Sequence, residues 1–325
     1  MEAASSTSSW PSNTLSFKRQ SDLWYSDGNL IIVAGAGGLG FRVYAQFLAA
    51  KSKTFAEMRP TDVIEGIPAV RLDDAEDDVE QFLKAIFDTD HFMPPPSPTK
   101  LSTVLAVLRL SHKYDVQFLI RRALRHLNAV YPTTLSEFLA IPSPSHLEYP
   151  EPRLAGHVRA LKAAMDVDAQ WLFPAIHYSI SCSPLRSILA TQPSWSALSE
   201  QTQFFIVTKH AWRLHRFEKV HEGPLNPVDE ATCADPRACL RTQATYATRL
   251  VAIIGRDQPL DAIRFWDEPG IEGYLKRRCD NCAKGIRERI NIMQGMVWDA
   301  LPRTFEFPEW KILVNMRDLA MARVD

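Results

Sequence analysis

The stretch LSTVLAVLRLSHKYDVQFLIRRALRHLNAVY, residues 101–131, constrains the chain more tightly than any other. Leu101, Val104, Leu105 and Leu108, then Val116, Leu119, Ile120, Ala123, Leu124 and Leu127, recur every three or four positions. That is the spacing of one face of a helix. The pattern breaks at Lys113-Tyr114-Asp115, where a polar side chain ahead of a new apolar run can cap a second helix. The stretch therefore predicts two amphipathic helices in series, joined at a tight corner.

Upstream, LWYSDGNLIIVA places an Asp-Gly turn signal before a β-branched apolar run, which predicts a strand. A second short strand is expected at Gly40-Phe41-Arg42-Val43-Tyr44. Between them, Gly35-Ala36-Gly37-Gly38-Leu39-Gly40 fits the dinucleotide-binding pattern G-x-G-x-x-G, and a helix-capable stretch YAQFLAAKSKTFAEM follows soon after. Such a site also needs a second parallel strand ending in an acidic residue about 20 residues further on. Residues 57–66, EMRPTDVIEG, read instead as a polar loop. The glycines are better explained as a β-hairpin turn in which they supply positive φ. An NAD- or FAD-dependent oxidoreductase resting on Gly35 to Gly40 stays as the rival reading.

Further on, Ala69 to Asp73 alternates as a strand does, and Glu76-Asp77-Asp78 opens a helix over 79–88 with negative charge at its N-terminal end. A proline run at 93–98 forces an extended loop before the helix pair. Residues 1–20, rich in Ser, Thr and Asn, are expected to form a disordered tail. The Pro-rich stretch 142–153 reads as a linker, and residues 154–325 as a helical domain.

The wording SHKYDVQFLIRRALRHL, preceded by AEDDVEQFLKAIFD, resembles the helical half of a BTB/POZ domain. DLWYSDGNLIIVAG...LGFRVYAQFLAAKSKTFAEM resembles that family's opening of hairpin strands, a helix and a short second helix. The resemblance covers residues 20–131, with Tyr44 standing where many relatives carry a His. The whole pattern, closing on a Cys-x-x-Cys region and WDALPRTFEFPEW, is similar to BTB proteins abundant in mushroom-forming fungi. It implies an α+β chain: a BTB/POZ fold of small sheet plus helices over 21–141, followed by a mostly α-helical C-terminal domain. It also implies a scaffold that works through protein–protein interaction, without catalysis. A homodimer face would draw on Leu23, Trp24, Tyr25, Tyr44, Phe47 and Leu48. A second face, which in some members docks a cullin for ubiquitin transfer, would draw on Phe82, Phe87 and Tyr114.

Four of the five cysteines fall downstream as Cys233-x5-Cys239 and Cys279-x2-Cys282. Two such pairs can close a tetrahedral zinc site, and Lys276, Arg277 and Arg278 would favour thiolates nearby. The first pair is more widely spaced than usual, so ordinary reduced thiols are an equal alternative and a redox pair a lesser one. His221 is a further candidate ligand, and Cys182, without a partner in sequence, is expected in the core.

Other chemistry is poorly represented. Neither Gly-x-Ser-x-Gly nor His-Glu-x-x-His occurs. The acidic run at 73–78 reads as a solvated loop, and His112 and His126 as ordinary helix side chains. Arg121, Arg122, Arg125 and His126 suggest a basic helix face, but no interleaved aromatics accompany it, and the net charge is -1. Nucleic acid is therefore not expected as a partner. Residues 30–36, the longest apolar run, fall far short of the roughly 20 residues that span a bilayer. With no signal-peptide layout at its start, the chain reads as intracellular, in cytoplasm or nucleus, and not membrane-embedded.

Overall fold

The computed structural model describes residues 17–36, 38–142, 145–220, 232–254, 261–267 and 269–322. The fold is α+β, a small mixed sheet with many helices. The chain divides into two compact units, residues up to 92 with 110–117, and residues 93–109 with 118–325. The Pro-rich stretch 142–153 lies inside the second unit. Among the described residues no helix is long and apolar enough to cross a membrane.

The first unit is built on five strands: β1 (Lys18–Trp24), β2 (Leu30–Ala34), β3 (Leu39–Val43), β4 (Asp62–Ile64) and β5 (Ile67–Leu72), in the order β1-β3-β2-β5-β4. The run Leu30-Ile31-Ile32-Val33-Ala34 is buried at every position, because β2 is the middle strand, covered on both faces. It pairs antiparallel with β3 and parallel with β5. β1 pairs parallel with β3 at the edge, so the fold begins at Lys18, three residues before the start expected at residue 21. Backbone pairing suffices there, which a propensity reading of KRQSD could not show. Residues 1–16 lie outside the described residues.

A second correction concerns residues 57–66. The short edge strand β4 turns through Glu65 and Gly66, both at positive φ (52° and 77°), and pairs antiparallel with β5. Two positive-φ residues are what a tight I′ hairpin turn requires. Its strand arm is only three residues long, too short for an alternating pattern to register.

Helices α1 (Ala45–Lys51), α2 (Lys53–Glu57) and α3 (Glu76–Phe87) complete this unit with the corner of the helix pair. Asn29 Oδ1 accepts the first backbone N–H of α1 (2.8 Å), and Ser52 Oγ accepts from Phe55 N (3.0 Å) to cap α2. α3 begins at Glu76 and buries Val79, Phe82, Leu83, Ala85 and Ile86 on one face. The corner joins α4 (Leu101–Lys113) to α5 (Gln117–Val130), turning at Asp115 with φ 53°. From it, the Tyr114 ring stacks on Phe55 (4.9 Å) and meets Phe82 (5.8 Å), while its hydroxyl donates to Asp74 (2.6 Å). Asp74 is 5% exposed and also pairs with Lys113 (2.7 Å), so the acidic run is not uniformly solvated.

The second unit includes α6 (Leu135–Leu139), a two-residue parallel pair β6 (Thr99–Lys100) and β7 (Leu147–Glu148), and helices α7 (Arg153–Asp166), α8 (Phe173–Ser181), α9 (Leu185–Leu189), α10 (Glu200–Val220), α11 (Pro236–Ile254), α12 (Pro269–Leu275), α13 (Asp280–Thr304) and α14 (Trp310–Ala322). Pro174 sits in the first turn of α8, where its missing N–H costs nothing. α8 is mostly apolar and largely buried, packed against α7, α10 and α13. Farther along α13, Trp298 stacks on Trp310 at 5.2 Å with rings nearly parallel, and Trp310 Nε1 donates to the Trp298 carbonyl (2.9 Å).

Removing the Asp74 carboxylate strands the Tyr114 hydroxyl in the core. Asp74→Ala is expected to lower the urea unfolding free energy by about 1–3 kcal/mol, and Asp74→Asn by less. An unchanged midpoint in Asp74→Ala would count against this role.

Candidate functional site

The four downstream cysteines meet at the starts of two helices. Asp235 caps α11, its carboxylate accepting from Ala238 N (3.0 Å), with Pro236 at the first helical position. This places Cys233 just before the helix and Cys239 in its opening turn. Cys279 is the N-cap of α13 and Cys282 lies one turn in. The sulfurs of Cys233, Cys239, Cys279 and Cys282 all lie within 4.8 Å of one another, at 3.4 Å for Cys233–Cys282 and 3.9 Å for Cys233–Cys279. No pair is joined in a disulfide. A tetrahedron of thiolates around zinc at about 2.3 Å has edges of about 3.8 Å, so the spacing and the donor set fit a thiophilic metal ion.

The electrostatics have a local cause. The Cys279 thiol is pulled down to about 6, first by the backbone N–H of Cys282 and then by that of Ala234. Burial pushes Cys239 and Cys282 up. One thiolate is thus favoured by backbone N–H groups from the two segments, and gathering more negative charge calls for a cation. The basic run acts differently from the sequence expectation. Arg278 is buried, its guanidinium 4.8 Å from the Tyr274 ring and donating to the Tyr274 hydroxyl. His221 lies outside the described residues.

A second constellation lies in the first unit. Tyr25 stacks on Tyr44 (5.0 Å) and meets Phe87 (5.9 Å), and Phe47 meets Phe87 (5.2 Å). Tyr25, Tyr44 and Phe87 are half-buried and Phe47 is 44% exposed, so four rings form one continuous aromatic surface. The remaining residues expected at interaction faces are elsewhere. Leu23, Leu48, Phe82 and Tyr114 are buried in the core of the unit. Trp24 packs against Phe17 (5.9 Å) under Arg19 (4.7 Å). Periodicity marks a side chain as apolar but does not say whether the sheet or solvent faces it. Phe87, expected on the second face, lies instead beside Tyr25, an approach that sequence distance hides.

The glycine loop joins β2 to the antiparallel strand β3, so it does not lead into the helix N-terminus that would hold a pyrophosphate. Gly35 has φ +66°, and a Cβ on Gly40 would lie 2.3 Å from the Phe17 ring. Both glycines are thus accounted for by the turn and by close packing; Gly37 lies outside the described residues. The basic helix face also dissolves: Arg121 and His126 are buried while Arg125 is exposed. Cys182, expected in the core, is partly exposed. Compared with known proteins, the chain matches no family model and no curated sequence.

Three histidines that the sequence left scattered are neutral, with His126 and His177 buried and His157 half-buried. Burial lowers His126 to about 4, and His157 and His177 to about 3. His126 Nε2 donates to the Met93 carbonyl (2.8 Å), the Tyr131 hydroxyl bonds His157 Nδ1 (2.7 Å), and His177 lies among Phe205, Phe305 and Phe307. In the unfolded chain each would take up a proton near pH 6.5. Their folded values are lower, so the unfolded state binds more protons in between, and stability falls as pH drops from 6.5 towards 3–4. Each buried histidine is expected to add about 1.4 kcal/mol per pH unit to that slope. His177→Phe keeps the ring packing and removes one titration, so its urea midpoint should change less between pH 7 and pH 5 than the parent's. Equal slopes would show that His177 is not held neutral.

Proposed function

We propose that the chain is a protein–protein interaction module of the BTB/POZ kind, self-associating through its first unit, with a second unit closed by a structural zinc ion. The observation that carries the self-association is the continuous surface of Tyr25, Tyr44, Phe47 and Phe87. Aromatic rings bury much apolar area at low conformational cost and are the usual anchors of interfaces. An isologous contact would place this surface against its own copy and remove the exposed part of Phe47 from water.

The succession of elements supports the same reading. A hairpin (β2, β3), two short helices, the strand β5, a helix and then a helix pair follow one another as the BTB resemblance implies. Cullin docking is less well supported. Of the three residues that would carry it, Phe82 and Tyr114 fill the core and Phe87 belongs to the aromatic surface. An oxidoreductase on the glycine loop has no helix start there to receive a phosphate.

Cys233, Cys239, Cys279 and Cys282 would hold the zinc ion, whose role with four thiolates and no open position is structural. The residues themselves bring the starts of α11 and α13 side by side.

Phe47→Asp places a charge on the aromatic surface without touching the core, since the side chain is 44% exposed. At about 10 µM the parent chain is expected to sediment as a dimer and Phe47→Asp as a monomer with unchanged helical circular dichroism, a shift of at least about tenfold in dissociation constant. A dimer that survives Phe47→Asp would show that the aromatic surface is not the interface.

A further inference from the structure

The second unit contains a cavity of about 180 Å³ that neither the metal reading nor the interaction reading uses. Its walls come from α5 and α6, from Arg153 and His157 on α7, from Tyr178, Ser179 and Cys182 at the end of α8, and from residues 261–264. The charges in that lining are unequal. Arg153 and Arg264 contribute two guanidinium groups and Asp261 one carboxylate, leaving a net charge of +1.

The single carboxylate is already engaged. Asp261 Oδ1 accepts from the Tyr178 hydroxyl (2.6 Å), Ile263 N (3.1 Å) and Arg264 N (2.9 Å), so it serves to shape the 261–264 turn. Neither arginine forms an ion pair among the described residues. Instead, the Arg264 guanidinium lies 4.3 Å from the Phe138 ring and donates to the Phe138 carbonyl (2.9 Å), and Arg153 lies 5.3 Å from the Tyr149 ring. His157 lines the same cavity, and after burial the two arginines also disfavour a proton on it. His157 is neutral and tied to Tyr131, so it adds no charge. Val130, Phe138 and Ile141 form the apolar part of the wall, and Ser179, whose hydroxyl donates to the Ala175 carbonyl, lines it as well.

We propose that this cavity binds a small monocarboxylate, its carboxylate facing Arg153 and Arg264 and its carbon chain lying against Phe138 and Ile141. The planar fork of a guanidinium group matches the two oxygens of a planar carboxylate. One negative charge balances the cavity, whereas a phosphate dianion would exceed it and face Asp261. The volume suits an acid of a few carbons and excludes a nucleotide. The proposal depends on neither the dimer nor the metal ion.

Cys182 lines the cavity with a partly exposed thiol and supplies the readout. Iodoacetate and iodoacetamide differ only in carboxylate against amide. In either reaction the sulfur forms a bond to the methylene carbon, iodide leaves with the electron pair of the broken C–I bond, and the thiol proton passes to buffer. Ordinary exposed thiols react faster with the amide. In the intact chain, peptide-level mass spectrometry should show Cys182 alkylated about tenfold faster by iodoacetate, as expected for a carboxylate held about 1.4 kcal/mol more tightly than its amide.

Butyrate should slow this labelling, butyramide should not, and inorganic phosphate should protect less than butyrate. Arg153→Gln should restore the ordinary order, with Arg153→Lys intermediate; Arg153 is exposed, so neither change empties the core. Faster labelling by iodoacetamide in the parent chain would overturn the proposal. So would a preference unchanged in Arg153→Gln, or stronger protection by phosphate.

Discussion

Tyr114 is the contact on which the first unit depends. It sits at the turn between α4 and α5, far along the chain from the sheet, yet its ring lies against Phe55 and Phe82 and its hydroxyl ends on the buried carboxylate of Asp74. Its carbonyl accepts from the Ser52 hydroxyl, the same atom that caps α2. One residue thus joins the short helices, the loop after β5 and the face of α3. The turn that presents it needs Asp115 in the left-handed region, which a short polar side chain tolerates better than most. With the ring seated inward, α3 turns its apolar face to the core, and Phe87 at the end of α3 meets Tyr25 and Phe47.

Among its described residues the second unit has no comparable sheet, and part of its order is local. α8 is largely buried among its neighbours. The four cysteines meet where two helices start, so the sulfurs, the cap of Asp235 and the N-terminal N–H groups of α13 lie together. Thiols alone hold one another weakly. A cation binding all four would add a constraint that links residues 233 and 282 across a long stretch of chain, and removing it would release the two helix starts from each other.

The legible parts of the sequence were those where one periodicity dominated. The helix pair shows in the Leu and Val spacing at 101–127, and the middle strand in an unbroken apolar run. The cysteine cluster shows in the spacing of Cys279 and Cys282, whereas the wider pair is brought together only by the start of α11. The turn at Glu65-Gly66 was hidden because its strand is short and polar. Asp74 looked like one more acid in a charged loop until Tyr114 and Lys113 came to it from forty residues away. Arg153 and Arg264 carry no local signal at all, since only the packing of α7 beside residues 261–264 brings them into one cavity.

Native mass spectrometry of the intact chain, purified without chelator and sprayed at about 10 µM, is the most direct measurement of the interaction and metal readings together. A dimer mass that carries one zinc ion per chain is expected, falling to the metal-free mass after chelation under denaturing conditions. A monomer mass with no bound metal would contradict both readings, and a co-purified dinucleotide would return the glycine loop to a catalytic role.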